Sequence, residues 1–235
     1  MKVKLLSFTH KPKEVIYAAA RQCYSKLGAG EIFYESTKVP SKKLKDFIEH
    51  LMARGHESPL EHVSFTFAID GVSRVCTHQL VRHRIASYSQ QSQRYVSMEN
   101  FKFVTPPMIL KNKEANKKFV QTVNDLLKQC EELKKILEKD TSLNREKINE
   151  DVRFLLPGAC DTKIVVTMNC RELLHFFAER TCLRAQWEIR ELAGKMYSLC
   201  KNTLPEVFIF GGPKCKIHKY CPEKNATCPL NPDKK

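Results

Sequence analysis

Glycine is scarce in this chain, with only 8 among 235 residues. No Walker A sequence occurs, and Gly28 and Gly30 lack both a third glycine and a preceding predicted strand, which excludes a GxGxxG dinucleotide fingerprint. No apolar run approaches the roughly 18–20 residues of a membrane span, and the interrupted apolar start does not fit a signal peptide. Without a glycine-rich turn, any bound dinucleotide must be held by side chains. Without a membrane span or a signal peptide, the protein is expected in the cytoplasm.

Acidic residues are outnumbered, because 40 Lys and Arg face 26 Asp and Glu and give a formal net charge of +14. Such an excess predicts anionic partners, among which nucleotides, folates, nucleic acid and acidic lipids all qualify. The charge is spread along the chain without a long polybasic block, which favours small anionic ligands over a nucleic-acid surface. Neither a nucleic-acid partner nor a membrane partner is expected.

Most of the ten cysteines fall within apolar or helical patterns, where a free cysteine behaves as a small buried hydrophobic residue. The chain is too long and too rich in predicted helix to be a disulfide scaffold. Cys215, Cys221 and Cys228 lie instead in a basic tail with His218, and three thiols with an imidazole could hold zinc. Their spacing contains no CxxC pair and favours free or oxidised thiols, so no metal site is predicted.

The hydrophobic pattern predicts an α+β fold that is dominated by helices. Alternating or β-branched residues predict strands at 2–9, 63–68 and 163–168, with a further short strand at 101–104. Apolar residues at three- and four-residue steps predict helices at 12–24, 41–55, 72–83, 113–139, 145–155, 171–181 and 185–201. Ser41 is expected to cap the second of these helices.

Residues 82–95, the signature segment, read RHRIASYSQQSQRY and contain no acidic residue; a loop is predicted there. Arg82, Arg84 and Arg94 supply fixed positive charge, and a guanidinium binds phosphate through two parallel hydrogen bonds. The intervening Ser and Gln side chains can complete a phosphate site or contact a base or flavin edge. A solvated basic surface is the alternative. It is disfavoured because no Glu partners flank the segment and the preceding helix is expected to be buried.

A second polar group, GHESPLEH, occupies residues 55–62 between a predicted helix and a predicted strand, where site residues are common. The spacing is not that of an HExxH zinc protease. A turn in which Ser58 and Glu61 form a capping box is the alternative interpretation.

A third group lies at residues 169–180. Asn169 is expected to cap a helix that carries Arg171 and His175 on one face, with Arg180 beyond its far end. A simple surface helix would explain the same pattern. Arg153, upstream, stands within an apolar run and either extends to solvent or meets a buried anion.

These motifs, in this order, resemble the flavin-dependent thymidylate synthases, the class that is unrelated to the cysteine-nucleophile enzyme. The signature of that family is RHR, about seven residues, then Ser, which here is Arg82-His83-Arg84, IASYSQQ and Ser92. Supporting segments are AARQCYS, GHESPLEH, Gln79, SQRY, Arg153 with LLP, MNCR and ERTCLRAQWEIR. The resemblance covers a domain at residues 1–210 and leaves 211–235 as a basic, cysteine-containing tail.

The resemblance implies a helix-rich single domain with a small, mostly antiparallel sheet, assembled as a homotetramer whose sites are shared between subunits. It implies FAD as cofactor, NADPH as reductant, methylenetetrahydrofolate as carbon donor, and methylation of dUMP to dTMP. The implied cofactor-binding residues are His56, Ser58, Glu61, Arg82, His83, Arg84, Gln90, Asn169, Arg171 and His175. The implied substrate-binding residues are Gln79, Arg82, Gln90, Gln91, Ser92, Gln93, Arg94, Arg153 and Arg180.

The chain departs from the family pattern at Gln90, where Glu is frequent, at Gln93, where Gly is frequent, and at His175, where some members carry Asn. Ser92 has no evident base in its local sequence, so it is expected to bind phosphate rather than act as a nucleophile. Arg180 is the implied catalytic residue, since a fixed cation can stabilise a uracil deprotonated at N3. A non-catalytic nucleic-acid-binding protein and a tetramer that has lost activity are the rival functions.

Overall fold

The computed structural model describes residues 1–96 and 102–234, which form an α+β fold with one four-stranded antiparallel sheet. The strands are β1 (Lys2–Phe8), β2 (Ser64–Ser73), β3 (Ala86–Gln90) and β4 (Asp161–Asn169). Their order in the sheet is β1-β2-β4-β3, so β1 and β3 lie at its edges. The predicted fold class and the small antiparallel sheet are confirmed.

The remaining regular structure is helical. The α-helices are α1 (Pro12–Gln22), α2 (Ala29–Ser36), α3 (Ser41–Ala53), α4 (Arg74–Leu80), α5 (Pro107–Lys111), α6 (Lys113–Leu137), α7 (Arg145–Val152), α8 (Cys170–Arg180), α9 (Trp187–Thr203), α10 (Pro205–Phe208) and α11 (Lys214–His218). Short 3-10 helices occupy Ser58–His62, Arg153–Leu155 and Pro232–Lys234. Over the described ranges, none of these helices has the length and apolar character needed to cross a membrane.

Side-chain caps fix where several helices begin. The Asn169 side chain accepts a hydrogen bond from the N–H of Glu172 at 2.9 Å, which confirms the predicted cap of α8. Asn112 caps α6 in the same way. The predicted Ser41 cap is wrong, because α3 begins after Pro40 and Ser41 is its first residue. The capping box at Ser58 is also wrong, since that segment is a 3-10 helix without a side-chain cap.

The structure departs from the sequence prediction in the signature segment. Residues 86–90 form β3 rather than a loop, and their polar side chains hide the apolar alternation that normally reveals a strand. The helix predicted at 72–83 is shorter, because β2 continues to Ser73 and α4 ends at Leu80. The strand predicted at 101–104 lies partly outside the described residues, and Phe103 forms a single antiparallel bridge with Cys160.

The chain divides into two compact units, and each strand of the sheet has residues in both. Unit 1 comprises Met1–Lys2, Asp70–Gln79 and Ser89–Ile164, and unit 2 comprises Val3–Ile69, Leu80–Tyr88 and Val165–Lys235. A cluster of buried residues in unit 1 contains Cys130, Ile148 and Val152, with four partly buried leucines packed against it.

The core of unit 2 is aromatic. Phe65 on β2 stacks with Phe67 at a centroid distance of 6.3 Å and meets Phe208 on α10 edge-on at 5.5 Å. Phe177 on α8 contacts both Phe208 and its neighbour Phe176. These packed rings anchor α8, the helix that carries several of the predicted site residues.

Replacing Phe65 by Ala is expected to lower the free energy of unfolding by about 3–5 kcal/mol, because the fully buried ring would leave a cavity. Urea-induced unfolding followed by circular dichroism measures the change. Phe8→Ala is the matched control, since Phe8 stacks on Phe65 at 5.7 Å but is 44% exposed, and its loss should cost less. Equal costs for the two variants would contradict this account of the core.

Candidate active site

The start of the signature segment, residues 82–88, belongs to unit 2; it exposes two arginines and buries the histidine between them. Arg82 and Arg84 are exposed, whereas His83 is only 6% exposed. The Tyr88 hydroxyl fixes this turn, because it lies 2.7 Å from the carbonyl oxygen of His83 and 2.9 Å from that of Leu80. Burial, together with the charge of Glu172, raises the pKa of Tyr88, so its hydroxyl remains a donor.

The buried histidine connects two charged residues of α8. His83 Nδ1 lies 3.1 Å from Oε1 of Glu172, and Arg180 donates from Nε to His83 Nε2 at 3.1 Å. A guanidinium remains protonated and can only donate, so Nε2 must carry the lone pair and Nδ1 the proton. His83 is therefore a neutral imidazole that donates to Glu172 and accepts from Arg180.

The position at which His83 packs against α8 follows from helical spacing. Glu172, Phe176 and Arg180 are separated by four residues each and share one face of the helix. The ring of Phe176 meets the imidazole of His83 edge-on, with 4.8 Å between ring centroids. The imidazole thus packs on Phe176 and reaches a charged group on either side.

Burial and neighbouring charges keep His83 uncharged. The pKa of His83 is lowered to about 4. Burial is the largest cause, Arg180 and His175 act in the same direction, and Glu179 acts in the opposite direction. Burial also raises the pKa of Glu172, an effect that His175 opposes. Glu179 itself is engaged by Lys214, whose Nζ lies 2.5 Å from it.

A cleft of about 390 Å³, the smaller cleft, lies along this arrangement in unit 2. Its lining residues are Arg82, His83, Arg84, Ile85, Glu172, His175, Glu179 and Arg180. Five of them were predicted as site residues, so the fold brings the RHR turn together with the catalytic candidate Arg180. Within residues 1–96 and 102–234, neither Arg82 nor Arg84 has a carboxylate partner.

A larger cleft of about 1040 Å³ in the same unit collects other predicted cofactor residues, namely Glu61, Asn169, Arg171 and His175. Arg171 is held there by two carboxylates, with Nε 3.4 Å from Glu57 and Nη1 in contact with Glu61. Lys214, Lys216 and Lys219 add positive charge to the lining. Predicted residues His56 and Ser58 are exposed and line neither of these two clefts.

Most of the predicted substrate residues lie in unit 1. The Gln90 amide donates to Thr77 Oγ1 at 3.0 Å, and Ser92 Oγ accepts from the N–H of Arg94 at 3.2 Å. Arg94 contacts Glu146 and lies 3.2 Å from Glu150, both on α7. The signature segment is thus free of acids only along the sequence, because the fold brings carboxylates to it from more than fifty residues away.

Arg74 belongs with this group, although it lies outside the motifs that predicted the site. Its Nη2 donates to the carbonyl oxygen of Gln91 at 2.9 Å, and its Nε is buried without a partner in the part of the chain that the structure describes. Burial lowers the pKa of Arg74, and the positive charge of Arg153 lowers it further. Two neighbouring guanidiniums with an unused donor suit an anion. The available signal was a charged residue inside the apolar stretch at 72–81.

The tail cysteines line a separate cavity of about 260 Å³ in unit 2, together with Cys182. Its thiols come from Cys182, Cys215, Cys221 and Cys228, whereas His218 lines the larger cleft instead. Among the described residues, no three His, Cys, Asp or Glu side chains are grouped so as to bind a metal ion. All ten cysteines carry free thiols.

Comparisons with known proteins identify the family of this chain. The family model described as Thy1, thymidylate synthase complementing protein, matches residues 4–206. A flavin-dependent thymidylate synthase from Nitratidesulfovibrio vulgaris is 50% identical over 97% of this chain and 94% of its own length. Relatives of the same name from Clostridium tetani and Pyrococcus furiosus are 45% and 42% identical over 97% of this chain, covering 93% and 92% of their own lengths. The chain therefore belongs to the Thy1 family, and the resemblance predicted from its motifs is confirmed.

The free energy of unfolding is expected to fall as the pH decreases from about 6.5 towards 4. An unfolded histidine has a pKa near 6.5, whereas that of folded His83 is about 4. The unfolded state therefore binds the extra proton over this interval, and acid favours unfolding. Urea titrations across the same pH range measure the slope.

His83→Gln should flatten this pH dependence, because Gln does not titrate. His50→Gln, which removes an exposed histidine from α3, should leave it as in the parent. If the two variants show the same slope, His83 is not held neutral by its surroundings.

Proposed function

We propose that this chain is a flavin-dependent thymidylate synthase that methylates dUMP to dTMP, with FAD as cofactor, methylenetetrahydrofolate as carbon donor and NADPH as reductant. The family match and the names of the relatives support the reaction. One observation carries the proposal to this chain's own residues. Arg180 is held through its Nε by a neutral His83, in one cleft with the two exposed arginines of the RHR turn.

The larger cleft suits FAD in size and charge. Its volume of about 1040 Å³ reaches the upper end of typical cofactor sites, and the N-terminus of α8 and the lining lysines favour a pyrophosphate. When bound, the flavin supplies the hydride of the reaction. The residues proposed to hold it are His56, Ser58, Glu61, Arg82, His83, Arg84, Gln90, Asn169, Arg171 and His175.

We assign the phosphate of dUMP to the guanidinium groups of unit 1. Arg153 acts on the partly buried Arg74 as a like charge, and a phosphate would relieve their repulsion and occupy the unused donor. Ser92 fits the role of a phosphate ligand, since its hydroxyl accepts from a backbone N–H and retains a proton to donate. The full proposed set is Gln79, Arg82, Gln90, Gln91, Ser92, Gln93, Arg94, Arg153 and Arg180.

Methylation at C5 of uracil requires additional electron density in the ring, which loss of the N3 proton would supply, and Arg180 is the group proposed to stabilise the resulting anion. A fixed guanidinium stabilises the negative charge of a ring deprotonated at N3. The bond from Nε to His83 leaves both Nη groups of Arg180 available to the nucleotide. The signature segment contains no cysteine, so no thiol addition at C6 is proposed.

We further propose a homotetramer with shared sites. Val81 and Ile85 are apolar side chains beside Arg82 and Arg84, and they are 39% and 67% exposed, which favours a partner chain at this surface. The ten free thiols favour a reducing compartment, the cytoplasm. Residues 1–210 are the proposed catalytic domain, and 211–235 the tail.

The purified protein is expected to be yellow and to form dTMP only when dUMP, NADPH and methylenetetrahydrofolate are all supplied. Arg180→Ala should keep its flavin but form dTMP about 10²–10³-fold more slowly, the cost of removing a charge-stabilising donor. Flavin absorbance and chromatographic assay of dTMP provide the two measurements. Lys128→Ala, on an exposed part of α6, is the control and should match the parent in both. A parent protein that forms no dTMP would refute the function, and loss of flavin from Arg180→Ala would make Arg180 structural.

Light scattering is expected to give a mass of about four chains of 27.2 kDa each. Because shared sites exist only in the assembly, flavin retention and dTMP formation should decline together when the protein is diluted until the tetramer dissociates. A monomer that retains both flavin and activity would contradict the shared sites.

A further inference from the structure

Glu172 is a buried carboxylate that belongs to none of the proposed ligand-binding sets. It is 7% exposed and lies in the first turn of α8, where its backbone N–H donates to Asn169. An acidic residue at this position can simply complement the helix dipole. Its side chain, however, accepts a hydrogen bond from His83 Nδ1 at 3.1 Å. The cost of burying this carboxylate is therefore offset in part by its hydrogen bond with one imidazole nitrogen.

Glu172 and Arg180 cannot reach each other directly. They are eight residues apart on α8, which separates their backbones by about 12 Å along the helix axis. His83 spans this interval, with Phe176 packed edge-on against its ring and the Tyr88 hydroxyl on its carbonyl oxygen. The hydrogen bonds that the structure shows link Glu172 to Arg180 through the imidazole.

The two tautomers of His83 are not equivalent in this setting. With the proton on Nδ1, the ring donates to the Glu172 carboxylate and presents a lone pair to the Arg180 Nε–H. With the proton on Nε2, two N–H groups would oppose each other and the carboxylate would face a lone pair. Glu179, the other carboxylate of the smaller cleft, is paired with Lys214 rather than with His83. The remaining ionisable side chains of that cleft are Arg82, Arg84 and His175, and of these His175 favours a neutral His83 ring without selecting its tautomer.

We propose that Glu172 is a positioning residue that fixes His83 as the Nδ1–H tautomer, so that His83 Nε2 holds the Arg180 guanidinium in one orientation. The proposal rests on the proposed function, which gives Arg180 its role at the uracil ring. The consequence is that a carboxylate outside the proposed ligand-binding sets governs the rate of the step in which Arg180 takes part.

The tautomer can be measured without catalysis. Magic-angle-spinning ¹⁵N spectra of the histidine-labelled holoprotein should show the His83 signal, assigned by its loss in His83→Gln, as the Nδ1-protonated form. In Glu172→Gln the amide can donate to Nδ1 as well as accept from it, so the Nε2–H tautomer can form when the Arg180 guanidinium turns away, and the signal should change to a mixture. An unchanged Nδ1–H signal in Glu172→Gln would overturn the proposal, whether or not the protein forms dTMP.

A double-mutant cycle tests the link to Arg180. Glu172→Gln should lower kcat for dTMP formation, expressed per bound flavin, about tenfold to a hundredfold, with the KM for dUMP as in the parent. In the Arg180→Ala background, Glu172→Gln should not lower kcat further, because the guanidinium that it orients is absent. Multiplying effects in the double variant would show that Glu172 acts elsewhere and would overturn the proposal.

Two further variants separate positioning from folding. Glu206→Gln removes another buried carboxylate, paired with Lys13 at 3.3 Å, and should leave kcat and the His83 signal unchanged. Glu172→Asp keeps the charge, so it should retain the Nδ1–H tautomer and more turnover than Glu172→Gln, even if Glu172→Gln folds poorly. A Glu172→Asp protein with lower turnover than Glu172→Gln would contradict the role of the charge.

Discussion

A single donor–acceptor constraint determines the state of the candidate site, namely that the Arg180 guanidinium can only donate to His83. The bond from its Nε to Nε2 at 3.1 Å is compatible with a neutral ring and not with an imidazolium. Protonating His83 would also bury a second positive charge beside a fixed one, and the pKa of His83 is accordingly lowered to about 4. The charge of His83 is thereby constant over the pH range in which an ordinary histidine titrates.

The RHR turn divides its side chains between the protein interior and the surface. His83 is buried, whereas Arg82 and Arg84 are exposed, and both arginines line the smaller cleft. In a chain with few glycines, anion recognition depends on such side chains rather than on a backbone loop. Tyr88 and Phe176 both restrict the position of His83, which connects the turn to α8.

Local patterns in the sequence were sufficient to predict much of the fold. Alternation identified β1, and three- and four-residue spacing identified α6 as a long amphipathic helix. Asn169 was recognised as a cap because capping depends on neighbours three residues away. β3 was missed, because an edge strand of Ser, Gln and Tyr has no apolar face to give a periodic signal.

Candidate site residues that stand in a local run of charged or polar residues could be predicted from the sequence. Those whose role depends on a partner far away in the sequence could not. Glu172 lies 89 residues from His83, and nothing in the helix sequence distinguishes it from an acid that complements the helix dipole. Arg74 was missed for the same reason, because its importance comes from the neighbouring charge of Arg153. Pairings over such distances are decided by the fold and leave no local periodicity to detect.

Among the candidate site arginines, Arg94 and Arg171 form one group, and Arg82 and Arg84 form a second. Arg94 and Arg171 each contact two carboxylates, but their side chains are 37% and 52% exposed, and exposed ion pairs contribute only about 0–1 kcal/mol. Those carboxylates therefore reduce repulsion in a strongly positive chain and orient the guanidiniums, while an anionic ligand can displace them at little cost. Arg82 and Arg84 lack such partners in the described residues, so their turn retains uncompensated charge until an anion binds. Arg180 differs from both groups, because a neutral ring orients it without reducing its charge.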